Sequence, residues 1–121
     1  TITGIDINPD CKQYENKDNK INIEIGSQAD HVFLNDVMRE YGKFDMILDD
    51  GSHMNEHVIY SFEHLFQSVK SGGVYVVEDV RDYNIANYLV NFIPNEYKQN
   101  INTFPFVFKD KTWKVFFLLV I

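Results

Sequence analysis

KFDMILDDGSH at residues 43–53 and SGGVYVVEDV at residues 71–80 decide the fold. Each is a short apolar run ending in a pair of acids, Asp49-Asp50 after FDMIL and Glu78-Asp79 after VYVV. Between them Met54, Val58, Ile59, Phe62, Leu65, Phe66 and Val69 fall on one broad stripe at about 100° per residue, which predicts a helix that stops at Gly72-Gly73. Strand, helix, strand in this order predicts two parallel strands joined by a crossover helix. Parallel strands end at the same sheet edge, where open α/β folds bind ligands. Three or four carboxylates and the imidazole of His53 are therefore expected at one mouth, enough for a hard-cation site beside a general base.

The flanking sequence extends the pattern. Residues 1–7 are β-branched and stop at Asn8-Pro9, and residues 10–18 are polar with room for a short helix. Ile21, Ile23 and Ile25 alternate with Asn22 and Glu24, as in a strand. Residues 28–41 carry Ala29, Val32, Phe33, Val37 and Met38 at helical spacing, with Gly42 as the stop. Residues 82–92 read as a helix capped by Asp82 and ended by Pro94. Strands at about 104–109 and 113–121, separated by Asp110-Lys111, form an antiparallel hairpin. The whole is one α/β domain over residues 1–121 with no repeat or linker. A buried-looking strand at Thr1, without an initiator methionine, suggests a processed piece of something longer.

Composition narrows the function. A chain of 121 residues with 45% apolar content supports one small core. The longest apolar run, Val115 to Ile121, is far short of a membrane span. A formal charge of -7 disfavours nucleic-acid phosphates and anionic membranes as partners. The single Cys11 excludes an internal disulfide and gives no sign of secretion, so a reducing, cytoplasmic setting is the default.

Each motif has a chemical and a plain reading. Asp6, at the end of the first strand, suits the two ribose hydroxyls of a nucleotide cofactor, or caps the next turn. Ser27 and Gln28 could approach an adenine edge; local chemistry favours Ser27 as an N-cap with Asp30 three residues on. Asp49 and Asp50 are adjacent on a strand and point to opposite sides, so one faces the cofactor and the other a substrate or metal. Glu78 and Asp79 repeat the arrangement. Oxygen-only donors favour Mg²⁺, Ca²⁺ or Mn²⁺ over Zn²⁺, while the alternative is helix-capping acids facing water. His53 follows the tight Gly51-Ser52 turn and suits general-base work near neutral pH; a solvent-facing or capping histidine is the commoner case. His53 to His57 matches the H-x-x-E-H zinc pattern formally. That motif needs both histidines in one helix, whereas His53 precedes it, and His64 lies about 10 Å further along the axis. Tyr83, Trp113 and the phenylalanines read as core or pocket wall.

Taken together, GIDINP, GSQAD, KFDMILDDGSH, the LFQSVKSGG turn and VYVVEDV resemble the class I adenosylmethionine-dependent methyltransferases. The likeness is to the metal-dependent sugar O-methyltransferases that modify macrolides, with their cephalosporin-hydroxylase-like relatives, over roughly residues 2–80. The resemblance implies a Rossmann-like, mostly parallel sheet with an antiparallel C-terminal hairpin. It implies that Asp50, Glu78 and Asp79 hold Mg²⁺ and that His53 is the base. Asp6 would bind the ribose of adenosylmethionine, Ser27 and Gln28 would approach its adenine, and Asp49 would lie near its methionine part. The acceptor would be a small sugar or polyol. The family's first strand and helix, with the glycine-rich E-x-G-x-x-x-G loop, are missing here, which leaves strands 1–7 and 44–49 without a shared neighbour. Ser27 also stands where Asp is frequent.

Two readings follow. The first is a Mg²⁺-assisted O-methyltransferase. The second is a non-catalytic or truncated methyltransferase-like module, without cofactor affinity and associating as a homo-oligomer through exposed sheet edges. A nicotinamide-dependent oxidoreductase would leave the acid cluster unused, and a zinc hydrolase would need His53 and His57 to share an ion.

Overall fold

A computed structural model of the chain describes residues 1–80, 82–107 and 113–120. Strand β1 (Ile2–Asp6) is followed by a short 3₁₀ turn (Pro9–Tyr14). Asn8 starts that turn by accepting a hydrogen bond from the Asp10 amide, and Pro9 supplies the fixed φ suited to the first position. Strand β2 (Ile21–Ile25) then pairs with β1 in parallel, Ile2 beside Ile21 and Asp6 beside Ile25.

Helix α1 (His31–Tyr41) begins three residues later than the periodicity predicts. Asp30, not Ser27, is its cap. The Asp30 carboxylate accepts from the amides of Val32 and Phe33, satisfying two donors that the first turn leaves open. Ser27 turns instead onto the amide of Ala29. Gly42, at φ +73°, ends the helix as expected.

Strand β3 (Phe44–Asp49) leads to helix α2 (Asn55–Leu65), and there the apolar stripe misleads. The helix tightens to a 3₁₀ turn at Phe66–Ser68, and Val69 already opens strand β4 (Val69–Val80). Phe66 and Val69 are buried, as an apolar helix stripe also requires, so helical spacing alone could not exclude the strand. The glycines therefore lie inside β4, where Phe44 pairs with Val69 but Met46 pairs with Val74. Gly72 has φ +80°, and a Cβ on Gly73 would stand 2.8 Å from the Asp45 carbonyl oxygen and 2.7 Å from a Val69 methyl. The irregularity needs glycine at both places.

Helix α3 (Tyr83–Phe92) is capped by Asp82 as predicted. Strands β5 (Ile101–Val107) and β6 (Trp113–Val120) are antiparallel to each other, and β6 is antiparallel to β4. The expected turn at Asp110-Lys111 lies outside the described residues. Pro105 is tolerated because β5 is the sheet edge.

The strands form two sheets, β1-β2 and β3-β4-β6-β5. Among the described residues β1 pairs only with β2, and β3 only with β4, so the two strands that the resemblance leaves without a common neighbour do end separate sheets. The core lies on one face of β4. Tyr75 and Val77 are fully buried against Phe62 and Val58 of α2, Leu89 and Ala86 of α3, and Leu34 of α1. On β3, Met46 and Leu48 stay half exposed.

Candidate active site

The turn after β3 carries most of the site. Asp49 and Asp50 diverge, as adjacent strand residues must. Asp49 is half-buried and tied down: Ser61 of α2 donates a short hydrogen bond to its Oδ2. Gln28 Nε2 lies 3.2 and 3.3 Å from its two oxygens, and the Gly51 amide 3.3 Å from Oδ1. Asp50 points outward, with its Oδ1 3.6 Å from Nε2 of His53, an ion pair whenever the imidazole is protonated.

His53 itself has φ +55°. A non-glycine residue there costs about 1–2 kcal/mol, so the surroundings must hold it. Ser52 supplies part of that hold. Its amide donates to Gln28 Oε1 at 2.7 Å. Its hydroxyl accepts from the Met54 amide at 3.3 Å and lies 2.9 Å from Nδ1 of His57. His57 is thus fixed within α2 while His53 precedes the helix, and His64 bonds the Tyr60 carbonyl and stacks on the Tyr60 ring. These placements leave the H-x-x-E-H zinc geometry unformed. A cleft of about 580 Å³ opens beside His53, lined also by Met54, Asn55, Glu56 and Asp82.

The second acidic pair lies at the neighbouring strand end, since Asp49 pairs with Val77 and Asp50 and Glu78 follow. The β4–β6 register shifts between Val77 and Val80, and Asp79 within that irregularity is buried with φ +54°. Two of the three left-handed non-glycine residues among those described are therefore candidate site residues, His53 and Asp79. The carboxylates share the edge but do not converge: among the described residues no three His, Cys, Asp or Glu side chains gather closely enough to hold a metal ion.

Asp6 stands exposed at the end of β1, accepting from the Asn8 amide at 2.8 Å. That bond, with a second from the Cys11 thiol, holds its carboxyl below the usual carboxylate range; Cys11 is pushed up in turn. Asp6 is thus ionised at neutral pH and suited to accept from hydroxyl donors. Ser27 is half-buried on its local turn, and Gln28 spends its amide on Asp49 and Ser52.

Sequence reasoning missed Ser61 and Tyr75. The signal for Ser61 was a hydroxyl beside Val58 and Phe62 on a face that buries apolar groups. Tyr75 is fully buried and its hydroxyl approaches Ser61 without a hydrogen bond of good geometry. Burial first, and the Asp49 charge second, hold its pKa well above the ordinary value, so the phenol stays neutral.

No protein-family model matches the chain. It is 43% identical over 79 residues to demethylmacrocin O-methyltransferase of Streptomyces fradiae, covering 65% of this chain and 19% of that protein. It is 53% identical over 55 residues to mycinamicin VI 2''-O-methyltransferase of Micromonospora griseorubida, covering 46% of this chain and 14% of that one. The chain thus spans a fifth or less of the curated relatives it matches. Among solved structures, the MycE methyltransferase of the mycinamycin biosynthetic pathway, in complex with Mg, SAH and mycinamycin VI, superposes with a TM-score of 0.69 at 28% identity, covering 97% of this chain and 36% of that one. A ribosomal RNA methyltransferase, putative, from Plasmodium falciparum shares the fold at a TM-score of 0.61 and 18% identity, over 98% of this chain and 70% of that one. The chain has the partial Rossmann-like α/β fold of these methyltransferase structures. The curated relatives to which its sequence is similar are sugar O-methyltransferases. Among the described residues no helix is long and apolar enough to cross a membrane.

Proposed function

We propose that this chain forms part of an adenosylmethionine-dependent, Mg²⁺-assisted O-methyltransferase acting on a hydroxyl of a sugar or polyol in the cytoplasm. The observation that carries the reading is the His53 turn: an imidazole held in a costly backbone conformation, 3.6 Å from a carboxylate and at the lip of an open cleft. When bound, adenosylmethionine supplies an electrophilic methyl group and Mg²⁺ supplies positive charge for the oxygen that loses its proton. The donors suit both in chemistry. Asp6 is ionised and exposed for ribose hydroxyls, and Asp50, Glu78 and Asp79 offer the carboxylate oxygens that a hard cation takes. The three acids need side-chain movement to meet one ion.

His53 takes the proton of the acceptor hydroxyl on its imidazole, whose other role is to face Asp50 through Nε2, 3.6 Å from Oδ1. Asp49 does not join this pair, because Ser61 and Gln28 hold it inward, where its charge borders the cofactor side. Asn55, Glu56 and Asp82 line the cleft with planar polar groups that suit a polyhydroxylated acceptor.

The second reading, a non-catalytic module, draws on the split sheet and the ungathered acids. Calorimetric titration with adenosylmethionine, with and without Mg²⁺, separates the two. Saturable binding strengthened by Mg²⁺ is expected. Absence of binding, both to this chain and to one extended upstream, would leave the module.

A further inference from the structure

We propose that Gln28 is a positioning residue, a latch that fixes the His53 turn to the loop after β2. The inference takes His53 as the base from the reading above. One amide makes both halves of the contact. Its oxygen accepts from the Ser52 amide at 2.7 Å, and its nitrogen donates to Asp49. The same nitrogen lies 3.3 Å from Ser61 Oγ, which itself donates to Asp49. Gln28 therefore spans the turn from the last residue of β3 to the residue before His53, and links it to α2.

A second observation concerns the space that the amide fills. A Cβ placed on Gly51 would stand 2.1 Å from Gln28 Oε1 and 2.8 Å from its Cδ. Gly51 does not have a left-handed φ, so backbone freedom does not account for it. The glycine leaves the space that the Gln28 amide fills. Residues 28 and 51 are thus complementary, and their joint effect is to hold Ser52 and, through it, a His53 backbone that would not rest at φ +55° unaided. This assigns the Gln28 amide a role other than contact with adenine.

The test uses the 121-residue chain. Gln28→Met keeps the stem and removes the amide; Gln28→Ala removes both. In the folded proteins the latch requires at least tenfold faster hydrogen exchange of the Ser52 amide and a displaced ring signal of His53 in the ¹H–¹³C spectrum. A merely structural role would lower the unfolding midpoint and leave the His53 signal of the folded population in place. Gly51→Ala should reproduce the displacement in the parent and add little in the Gln28→Ala background, where the clash is gone. An unmoved His53 signal and unchanged Ser52 exchange in Gln28→Met would overturn the proposal. So would a tenfold loss of adenosylmethionine affinity with both signals in place, since that marks an adenine contact. A parent chain without adenosylmethionine affinity would count against the methyltransferase reading while the Ser52 and His53 signals still decide the latch.

Discussion

His53 and Asp79 show what a single residue reveals that its neighbours in sequence do not. Both types were legible as chemistry, from an imidazole after Gly-Ser and an acid after a β-run, but their backbone conformations were not. Nothing in local sequence forces φ +55° on a histidine; the Ser52 and Gln28 hydrogen bonds do. Asn tolerates the left-handed region better than most residues. His53→Asn is therefore expected to keep the unfolding midpoint at or above that of the parent while turnover falls about 10²–10⁴-fold, the usual contribution of a general base. Thermal unfolding and a methyl-transfer assay on the same preparations check this, and turnover at the parent rate would remove His53 from the role. Asp6 gives a pH prediction at the same scale. Its carboxyl is lowered by the Asn8 amide first and the Cys11 thiol second, so its stabilising effect is present above the unfolded carboxylate range and disappears as pH falls through its lowered folded value. The midpoint difference between parent and Asp6→Asn should be largest near neutrality and shrink progressively in acid. A difference that grows on acidification would contradict that sign.

At the scale of elements, periodicity identified the six strands and three α-helices of the described residues, missed the 3₁₀ turn at Asn95–Asn100, placed the start of β5 three residues late, and misplaced two further boundaries for a physical reason. The α1 start was misread because Asp30 is a stronger acceptor for two amides than Ser27, and both were within reach of the same turn. The α2 end was misread because apolar stripe and apolar strand bury the same residues. Gly72 and Gly73, which the spacing makes a helix stop, serve the β3–β4 irregularity. Gly73→Ala should cost about 1–3 kcal/mol, because two of its three close neighbours are backbone oxygens that cannot step aside. Ser61→Ala should cost a similar amount, about 1–3 kcal/mol, by removing a donor from a part-buried carboxylate. Denaturant titration reads both, and a change in Ser61→Ala below a few tenths would mean that Gln28 and water satisfy Asp49 without it.

At the largest scale the described chain is a methyltransferase-like sheet in two parts. Order β2-β1 followed by β3-β4-β6-β5 leaves one edge of β1 and one edge of β3 unpaired among the described residues. Exposed apolar side chains lie on those strands, Ile2 at 64%, Met46 at 56% and Leu48 at 51%. At the site the loops hold the parts in register through Gln28 on Asp49 and Ser52, and beneath it Leu34 of α1 and Ile5 of β1 pack into the shared core. Among the described residues no strand lies between β1 and β3, and no propensity or period within the 121 residues points to one. The candidate site is correspondingly uneven. The residues after β3 are ordered by contacts within the chain, whereas the acids after β4 are not gathered. A protein extended upstream to include a strand that pairs with both β1 and β3 should bind adenosylmethionine at least tenfold more tightly than the 121-residue chain, and Mg²⁺ should enhance the extended protein more. It should also slow amide exchange along β1 and β3. If the edges pair instead with a second copy, sedimentation of the short chain will show a concentration-dependent dimer, exchange in β1 and β3 will slow on association, and the extended protein will remain a monomer. Equal affinity in the two proteins, with β1 and β3 exchanging alike, would mean that the sheet is complete in function as it stands.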